Sequence, residues 1–331
     1  MASTTLLAVK DLRVEFPTRR GTLVAVDGVS FEVAKGEVLG IVGESGAGKS
    51  LTGAAIIGLL EPPGRIAGGE VHLGGLRIDT LGRDDMRKVR GRRIGMVFQD
   101  PLTSLNPLYT VGRQITETVR AHADVSAAAA RDRAVELLTE VGIPGAGQRL
   151  DAYPHEFSGG MRQRVVIALA LAAGPELVIA DEPTTALDVS VQAQVIAVLK
   201  RLCRDKGTAV ILITHDMGVI AETADRVAVM YSGRIAEIGP VRDVIMAANH
   251  PYTRGLMGAI PTLETGHDRL AQIPGSMPRL SEIPAGCAFN PRCGEVIERC
   301  RSERPVLQAI GRSQVSCHLF DGRARPQRGA A

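Results

Sequence analysis

Two short segments contain residue types suited to binding phosphate, GESGAGKS at Gly43–Ser50 and FSGGMRQR at Phe157–Arg164. In the first, glycines allow the backbone to curl so that its N–H groups face a phosphate, and a following helix adds its positive N-terminal end. Lys49 is expected to reach the β- and γ-phosphates, and the Ser50 hydroxyl to ligate Mg²⁺. The alternative is a glycine-rich turn that binds nothing, but the complete motif favours a nucleotide site. The predicted nucleotide-binding residues of this segment are Gly43, Glu44, Ser45, Gly46, Ala47, Gly48, Lys49, Ser50 and Leu51.

Two carboxylates, Asp181 and Glu182, directly follow the apolar run Leu177–Ala180. Asp181 suits the Mg²⁺ shell, directly or through water, and Glu182 is placed to polarise an attacking water molecule. An isolated Asp-Glu pair at the end of a strand is more often a solvated turn. In a chain that also contains a phosphate-binding loop, we interpret the pair as catalytic.

Strand-like and helix-like segments alternate around these motifs, which predicts a mostly parallel sheet covered on both faces. The predicted strands are Leu6–Phe16, Val24–Val33, Val38–Val42, Ile94–Gln99, Leu177–Ala180 and Ala209–Thr214. The predicted helices are Leu51–Leu60, Val111–Val141, Met161–Ala173 and Val191–Arg204. Beyond Pro251 the composition shifts to Pro, Gly, Cys and Arg, so we place a domain boundary near Asn249.

Composition excludes several other classes of protein. The net charge is +3, from 39 basic and 36 acidic side chains, which is too balanced to predict a nucleic-acid partner. No apolar run approaches the roughly 20 residues that a membrane-spanning helix needs. The N-terminal segment has no basic n-region or continuous apolar h-region, so we expect no signal peptide. These features predict a cytoplasmic protein that reaches a membrane only through a partner.

In the order and content of its motifs, the chain resembles the nucleotide-binding subunits of ABC transporters from about Leu6 to Asn249. The resemblance implies an α/β, P-loop NTPase (RecA-like) core with an antiparallel β subdomain and an α-helical subdomain, plus a Cys-containing C-terminal extension. It identifies Gln99 with the Q-loop glutamine, expected to sense Mg²⁺ and to touch the transmembrane partner. It also identifies His215 with the switch histidine that contacts the γ-phosphate. Without the resemblance, His215 would be interpreted as an ordinary histidine at the end of a strand. Asp188, in TTALD, resembles the D-loop residue.

The second glycine segment resembles the family's signature motif. Ser158, Gly159 and Gly160 would open a helix whose N-terminal N–H groups hold a γ-phosphate. Phe157 replaces the usual Leu and Met161 the usual Gln, but the serine and both glycines are retained.

Phe16 is the candidate for stacking on adenine, because of its place on the first strand. A core aromatic residue on a strand is the alternative interpretation. This assignment completes the predicted nucleotide-binding residues.

Four cysteines lie in the last fifth of the chain, at Cys287, Cys293, Cys300 and Cys317. A clustered set of thiols in a cytosolic protein indicates a metal more than disulfides, but the spacing does not identify the metal. A fifth, Cys203, is expected to be a small core residue. A [4Fe-4S] cluster, a zinc ion and reduced thiols remain the alternatives.

The segment NHPYTRGL at Asn249–Leu256 and the later IPGSMP and GCAFNPRC resemble the C-terminal extension of oligopeptide and dipeptide importer ATPases. That resemblance implies residues 1–249 as the ATPase domain and 250–331 as an extension that holds the cysteines and ends in a disordered tail. Some members of the group carry an iron–sulfur cluster on such cysteines. GKSLT after the loop resembles the first of two paired ATPases, which implies a non-identical ATPase partner.

The resemblance implies an ATP-hydrolysing subunit that powers import of dipeptides, oligopeptides or a related small solute such as nickel or glutathione. Each signature motif would complete the ATP site of the other subunit, so ATP would drive dimer closure. The implied partners are a second ATPase subunit, two membrane permeases and an extracytoplasmic solute-binding protein, and the implied location is the cytoplasmic face of the inner membrane. The alternatives are a soluble ABC ATPase of DNA repair or translation, and a regulatory nucleotide-binding module with little hydrolysis.

Overall fold

The computed structural model describes residues 5–184, 188–259 and 272–322. Within them the strands are β1 (Thr5–Thr18), β2 (Gly21–Ala34), β3 (Val38–Val42), β4 (Arg65–Leu73), β5 (Leu76–Arg77), β6 (Ile94–Val97), β7 (Leu177–Asp181), β8 (Ala209–Ile213), β9 (Arg226–Tyr231), β10 (Arg234–Pro240), β11 (Gln308–Ile310) and β12 (Ser313–Val315). The α-helices there are α1 (Lys49–Ile56), α2 (Arg83–Val89), α3 (Pro101–Ser104), α4 (Val111–His122), α5 (Ala127–Glu140), α6 (Ala146–Arg149), α7 (Gly159–Ala170), α8 (Val189–Lys206), α9 (Met217–Thr223), α10 (Val241–Met246), α11 (Pro251–Gly258) and α12 (Arg299–Ser302). Short 3₁₀ helices lie at Pro154–Glu156, Asn290–Arg292 and His318–Phe320. The middle of TTALD (185–187) and the predicted disordered tail (323–331) fall outside the described residues.

The chain divides into two compact units, and the first comprises Met1–Leu7, Val33–Val38 and His72–Ile213. Its strands β6, β7 and β8 pair in parallel, in the order β8-β7-β6. Every residue of β7 and β8 is buried, as expected for parallel strands covered on both faces. The apolar runs therefore predicted these strands correctly.

The second unit comprises Ala8–Glu32, Leu39–Val71 and Thr214–Ala331. Here β3 pairs in parallel with β9, while β10 runs antiparallel to both β9 and β12. The strand order is β11-β12-β10-β9-β3. The C-terminal extension thus contributes two strands, β11 and β12, to a sheet that also holds β3, the strand before the phosphate-binding loop.

A separate four-stranded sheet has the order β2-β1-β4-β5, with β4 and β5 antiparallel. Hydrophobic periodicity predicted β1 and β2, although both extend beyond the predicted ranges. It did not predict β4, which begins at Arg65 inside a segment rich in Pro and Gly.

Other elements differ from the sequence predictions in instructive ways. The predicted helix Val111–Val141 consists of two helices, because the chain breaks after α4 and Ser126 caps α5 by accepting a hydrogen bond from the Ala129 N–H. The short helix α3 lies outside the predicted helices, just after the predicted strand Ile94–Gln99. Among the described residues, no helix is long and apolar enough to cross a membrane.

Candidate nucleotide site

The predicted phosphate-binding loop connects β3 to α1, so it has the strand–loop–helix context that the motif requires. Gly43 has φ 152° and Gly48 has φ 96°, in the region that favours glycine. A Cβ on Gly43 would lie 2.3 Å from the Met230 carbonyl oxygen, and one on Gly48 would lie 3.0 Å from the Ala25 carbonyl oxygen. Backbone crowding therefore requires glycine at both ends of the loop, independently of any ligand.

The side chain of Lys49 folds back along this loop. Its ammonium donates hydrogen bonds to the carbonyl oxygens of Gly43 at 2.8 Å and Glu44 at 3.1 Å. Lys49 is buried, whereas Ser50 and the loop residues Ser45 and Gly46 are exposed. A fixed cation beside an exposed loop at the N-terminus of a helix suits a phosphate-bearing ligand.

The predicted carboxylate pair lies at the end of β7, in the first unit. Asp181 is the last residue of the strand and is buried, and Glu182 follows with φ 46°, a left-handed conformation that is rare for non-glycine residues. The Glu182 N–H donates to the Ile213 carbonyl oxygen at 2.8 Å. The Gln99 amide donates to Glu182 Oε2 at 3.1 Å. The structure therefore brings Gln99 and Glu182 together and fixes the unusual backbone of Glu182.

The signature residues Ser158, Gly159 and Gly160 lie at the start of α7. The Ser158 hydroxyl caps the helix by accepting from the Met161 N–H at 3.3 Å, and Ser158 and Gly159 are exposed. The exposed Asp188 caps α8 in the same way, by accepting from the Val191 N–H at 2.9 Å. A Cβ on Gly160 would lie only 2.5 Å from Val191 Cγ1, so the starts of α7 and α8 are in close contact.

His215 is exposed and follows Thr214, whose N–H donates to the Ile41 carbonyl oxygen of β3 at 3.1 Å. Phe16 is half-buried, and its Cε1 lies 2.8 Å from where a Cβ on Gly64 would be, so the ring packs against that glycine. The roles of His215 in contacting the γ-phosphate and of Phe16 in stacking on adenine remain predictions.

Sequence reasoning did not single out two residues that contact the phosphate-binding loop. The Tyr252 hydroxyl accepts a hydrogen bond from the Glu44 N–H at 2.9 Å. The Arg292 guanidinium donates to both carboxylate oxygens of Glu44, at 2.9 and 3.1 Å. Both residues lie within the NHPYTRGL and GCAFNPRC motifs, which were the available signal.

The four clustered cysteines are free thiols within the described extension. Burial, together with smaller contributions from the other three thiols, raises the pKa of the Cys317 thiol to about 12. Burial also raises the pKa of Cys287, again with contributions from neighbouring thiols. Among the described residues, however, no three His, Cys, Asp or Glu side chains are arranged to hold a metal ion. The predicted [4Fe-4S] cluster therefore has no support from the structure.

Comparison with known proteins finds two matching family models. The ABC transporter model matches residues 26–185, and the model of the oligopeptide/dipeptide transporter C-terminal region matches residues 236–300. The chain is similar to the dipeptide transport ATP-binding protein DppD of Haemophilus influenzae, 47% identical over 313 residues and 95% of each chain. It is also similar to the oligopeptide transport ATP-binding protein OppD of Bacillus subtilis, 54% identical over 86% of this chain and 80% of that protein.

Solved structures give a consistent result. The dimeric post-hydrolysis state of the ATP-binding cassette MJ0796, bound to ADP and Pi, matches with a TM-score of 0.65 and 28% identity, covering 72% of this chain and 99% of that one. CbiO1 of Clostridium perfringens, part of an ABC transporter complex, matches with a TM-score of 0.64 and 28% identity, covering 73% and 91%. These matches confirm the predicted α/β fold class.

Proposed function

Since the chain belongs to the family of ABC ATP-binding proteins of dipeptide and oligopeptide transporters, we propose that it hydrolyses ATP to power the import of peptides or a related small solute across a membrane. The observation that carries this proposal is similarity that extends over 95% of the chain and includes the C-terminal region. The named relatives are transport proteins, so ABC ATPases of DNA repair or translation are not favoured. A regulatory module with little hydrolysis does not fit a buried Asp181 followed by a Glu182 in contact with Gln99.

Nucleotide binding is assigned to the loop and the start of α1. The left-handed glycines leave the loop backbone open to a phosphate, and Lys49 supplies a positive charge at its edge. When bound, Mg²⁺ would neutralise phosphate charge, held by the Ser50 hydroxyl, Gln99 and Asp181; a single carboxylate beside phosphates is typical of magnesium sites. No other cofactor is required for this chemistry.

Glu182 is assigned the role of positioning and polarising the attacking water. A carboxylate needs a fixed orientation for this task, and the hydrogen bonds from Gln99 and to Ile213 restrict both its side chain and its backbone. The left-handed backbone costs about 1–3 kcal/mol, which is typical of a residue held for function. His215 is assigned to the γ-phosphate, so that it distinguishes ATP from ADP.

Dimer closure is the proposed power stroke. Ser158 and Gly159 are exposed at the start of α7, in a position to complete the nucleotide site of a second subunit, and Asp188 is assigned to the same interface. ATP does work only through the difference between its affinities for the closed and open dimer. Loss of the γ-phosphate removes contacts to Lys49, His215 and the partner's signature, so the dimer reopens.

The proposed assembly contains two membrane permeases, a second and non-identical ATPase subunit, and an extracytoplasmic solute-binding protein. The chain would lie at the cytoplasmic face of the inner membrane as a peripheral subunit, with no nucleic-acid partner. Support comes from the peptide-transport relatives and from the dimeric cassette among the similar structures.

We also retain the [4Fe-4S] cluster on Cys287, Cys293, Cys300 and Cys317 as a hypothesis. It is supported only by the clustering of the cysteines in the sequence. No mechanistic step depends on it.

The test of the catalytic assignment is Glu182→Gln, which keeps the size of the side chain and removes its charge. We expect this variant to lose ATP turnover but to accumulate an ATP-bound dimer, measured by phosphate release and size-exclusion chromatography. Glu117→Gln is the control, because Glu117 is exposed and forms an ion pair with Arg113 on its own helix α4. Near-normal hydrolysis by the Glu182 variant would show that its assigned role is wrong.

A further inference from the structure

The backbone of the phosphate-binding loop is held by a tyrosine of the C-terminal extension. The Tyr252 hydroxyl accepts from the Glu44 N–H at 2.9 Å. The Tyr252 ring is fully buried and packs edge-on against Tyr231, with ring centroids 4.7 Å apart, and against Phe289 at 5.4 Å. Three interlocked rings leave the hydroxyl little freedom, so it is a fixed acceptor for the loop.

The side chain of the same loop residue is held by an arginine of the extension. Arg292 donates from Nη1 and Nη2 to the two carboxylate oxygens of Glu44. Its Nε donates to the Pro274 carbonyl oxygen at 2.8 Å, and the side chain is only 7% exposed. Paired, planar contacts of this kind are stronger and more directional than single hydrogen bonds.

The position of Tyr252 is fixed by hydrogen bonds that join the start of α11 to β10. Glu237 of β10 is fully buried and accepts hydrogen bonds from the backbone N–H groups of Asn249 and His250. His250 Nδ1 in turn accepts from the Tyr252 N–H at 3.0 Å, which caps α11. The NHPY sequence therefore joins a central strand of the second unit to the tyrosine that holds the loop.

A third segment of the extension also reaches the loop. A Cβ on the exposed Gly46 would lie 3.9 Å from Met277 Sδ, which is ordinary contact distance. The segment that contains Met277 includes Gly275, whose carbonyl oxygen accepts from Arg292. The extension thus contacts the loop at Glu44 and approaches it at Gly46.

We propose that the C-terminal extension pre-organises the phosphate-binding loop for ATP by holding Glu44 from two directions, with Tyr252 and Arg292 as positioning residues. A loop that binds phosphate through its backbone must have one conformation, and a loop that orders only on binding loses affinity to that ordering. The extension supplies the order before ATP arrives. The inference rests on the proposed ATPase function and assigns a part of that function to residues outside the phosphate-binding loop.

The experiment measures ATP hydrolysis by the full chain in its transporter complex, with Arg292→Gln, Glu44→Gln and the double variant. Each single change is expected to raise the KM for ATP about tenfold, equivalent to ~1.4 kcal/mol, with kcat nearly unchanged. The double variant is expected to match the single ones, because both remove the same interaction. Arg312→Gln is the matched control, since Arg312 lies in the extension and pairs with Asp243, away from the loop.

Amide hydrogen exchange of residues 43–48 without nucleotide is the second measurement. Faster exchange in the Arg292 variant than in the Arg312 variant is expected, and Arg292→Lys should lie between Arg292→Gln and the unchanged protein because it keeps the charge but loses the paired contact. Unchanged KM and exchange, or effects that multiply in the double variant, would overturn the proposal. Failure of the unaltered complex to hydrolyse ATP would instead contradict the proposed function, while hydrogen exchange would still decide whether Arg292 holds the loop.

Discussion

Replacing Gly160 by alanine is expected to force α7 away from α8. The added Cβ would lie 2.5 Å from Val191 Cγ1, 3.0 Å from Cγ2 and 3.3 Å from Cβ, whereas contacting carbons are normally about 3.5–4.0 Å apart. Val191 cannot swing aside, because a β-branched side chain in a helix has one strongly preferred rotamer. Overpacking of this kind lowers the free energy of unfolding by about 1–3 kcal/mol. The higher helix propensity of alanine offsets up to ~1 kcal/mol of that loss.

Gly159 provides the matched control for this prediction. No atom lies within 4 Å of a Cβ added there, although it is the adjacent residue of the same motif. Gly159→Ala should therefore leave stability unchanged or slightly increased. Activity alone cannot separate a collision from a lost phosphate contact at either glycine, so stability is the informative measurement.

The assay is urea unfolding followed by circular dichroism, since the chain contains no Trp for fluorescence. Gly160→Ala should unfold at a lower urea concentration than Gly159→Ala. Adding Val191→Ala to the Gly160 variant should recover much of the loss, because it removes both colliding methyl groups. Equal stability of the two glycine variants, or no recovery in the double variant, would refute the collision.

Two further predictions concern the C-terminal part of the second unit. Burial lowers the pKa of His250 to about 3, against about 6.5 in an unfolded chain. Between these values the unfolded state binds the extra proton, so stability should fall as pH drops from about 6.5. His250→Asn keeps a capping oxygen and should flatten this dependence in urea unfolding at pH 7 and pH 5; an unaltered slope would exclude His250 as the cause. Protein purified without oxygen is expected to contain iron and sulfide on its cysteines, and metal analysis that finds zinc without either would contradict the cluster.

Sequence alone predicted those parts of the molecule whose chemistry is contained in contiguous residues. The apolar runs that became β3, β7 and β8 are each short, uninterrupted and bounded by polar motifs, so their type and position were clear. The phosphate-binding loop was equally clear, because the positive φ of Gly43 and Gly48 is a local backbone requirement. The contact between Gln99 and Glu182 was not derivable from spacing, since it depends on parallel pairing of β6 with β7.

The hairpin of β9 and β10 was missed although its turn carries a recognisable signal. Ser232 and Gly233 have φ values of 44° and 78°, and a Ser-Gly pair between two apolar runs is typical of a tight hairpin turn. Glu237 weakened the signal, because a fully buried charge interrupts the expected alternation in β10. Its position is explained only by the backbone groups of Asn249 and His250 that it accepts from.

The contacts between the C-terminal extension and the phosphate-binding loop could not be predicted from the sequence. Arg292 and Glu44 are 248 positions apart. The second contact to Glu44, from Tyr252, depends on the hydrogen bonds from Asn249 and His250 to Glu237 of β10 and on the aromatic rings around Tyr252. Each of these contacts has an ordinary local explanation, but none of them predicts the others. A loop whose own sequence suffices to bind phosphate is thus given its working conformation by residues at the other end of the chain, which is why changes in the extension should alter KM for ATP rather than kcat.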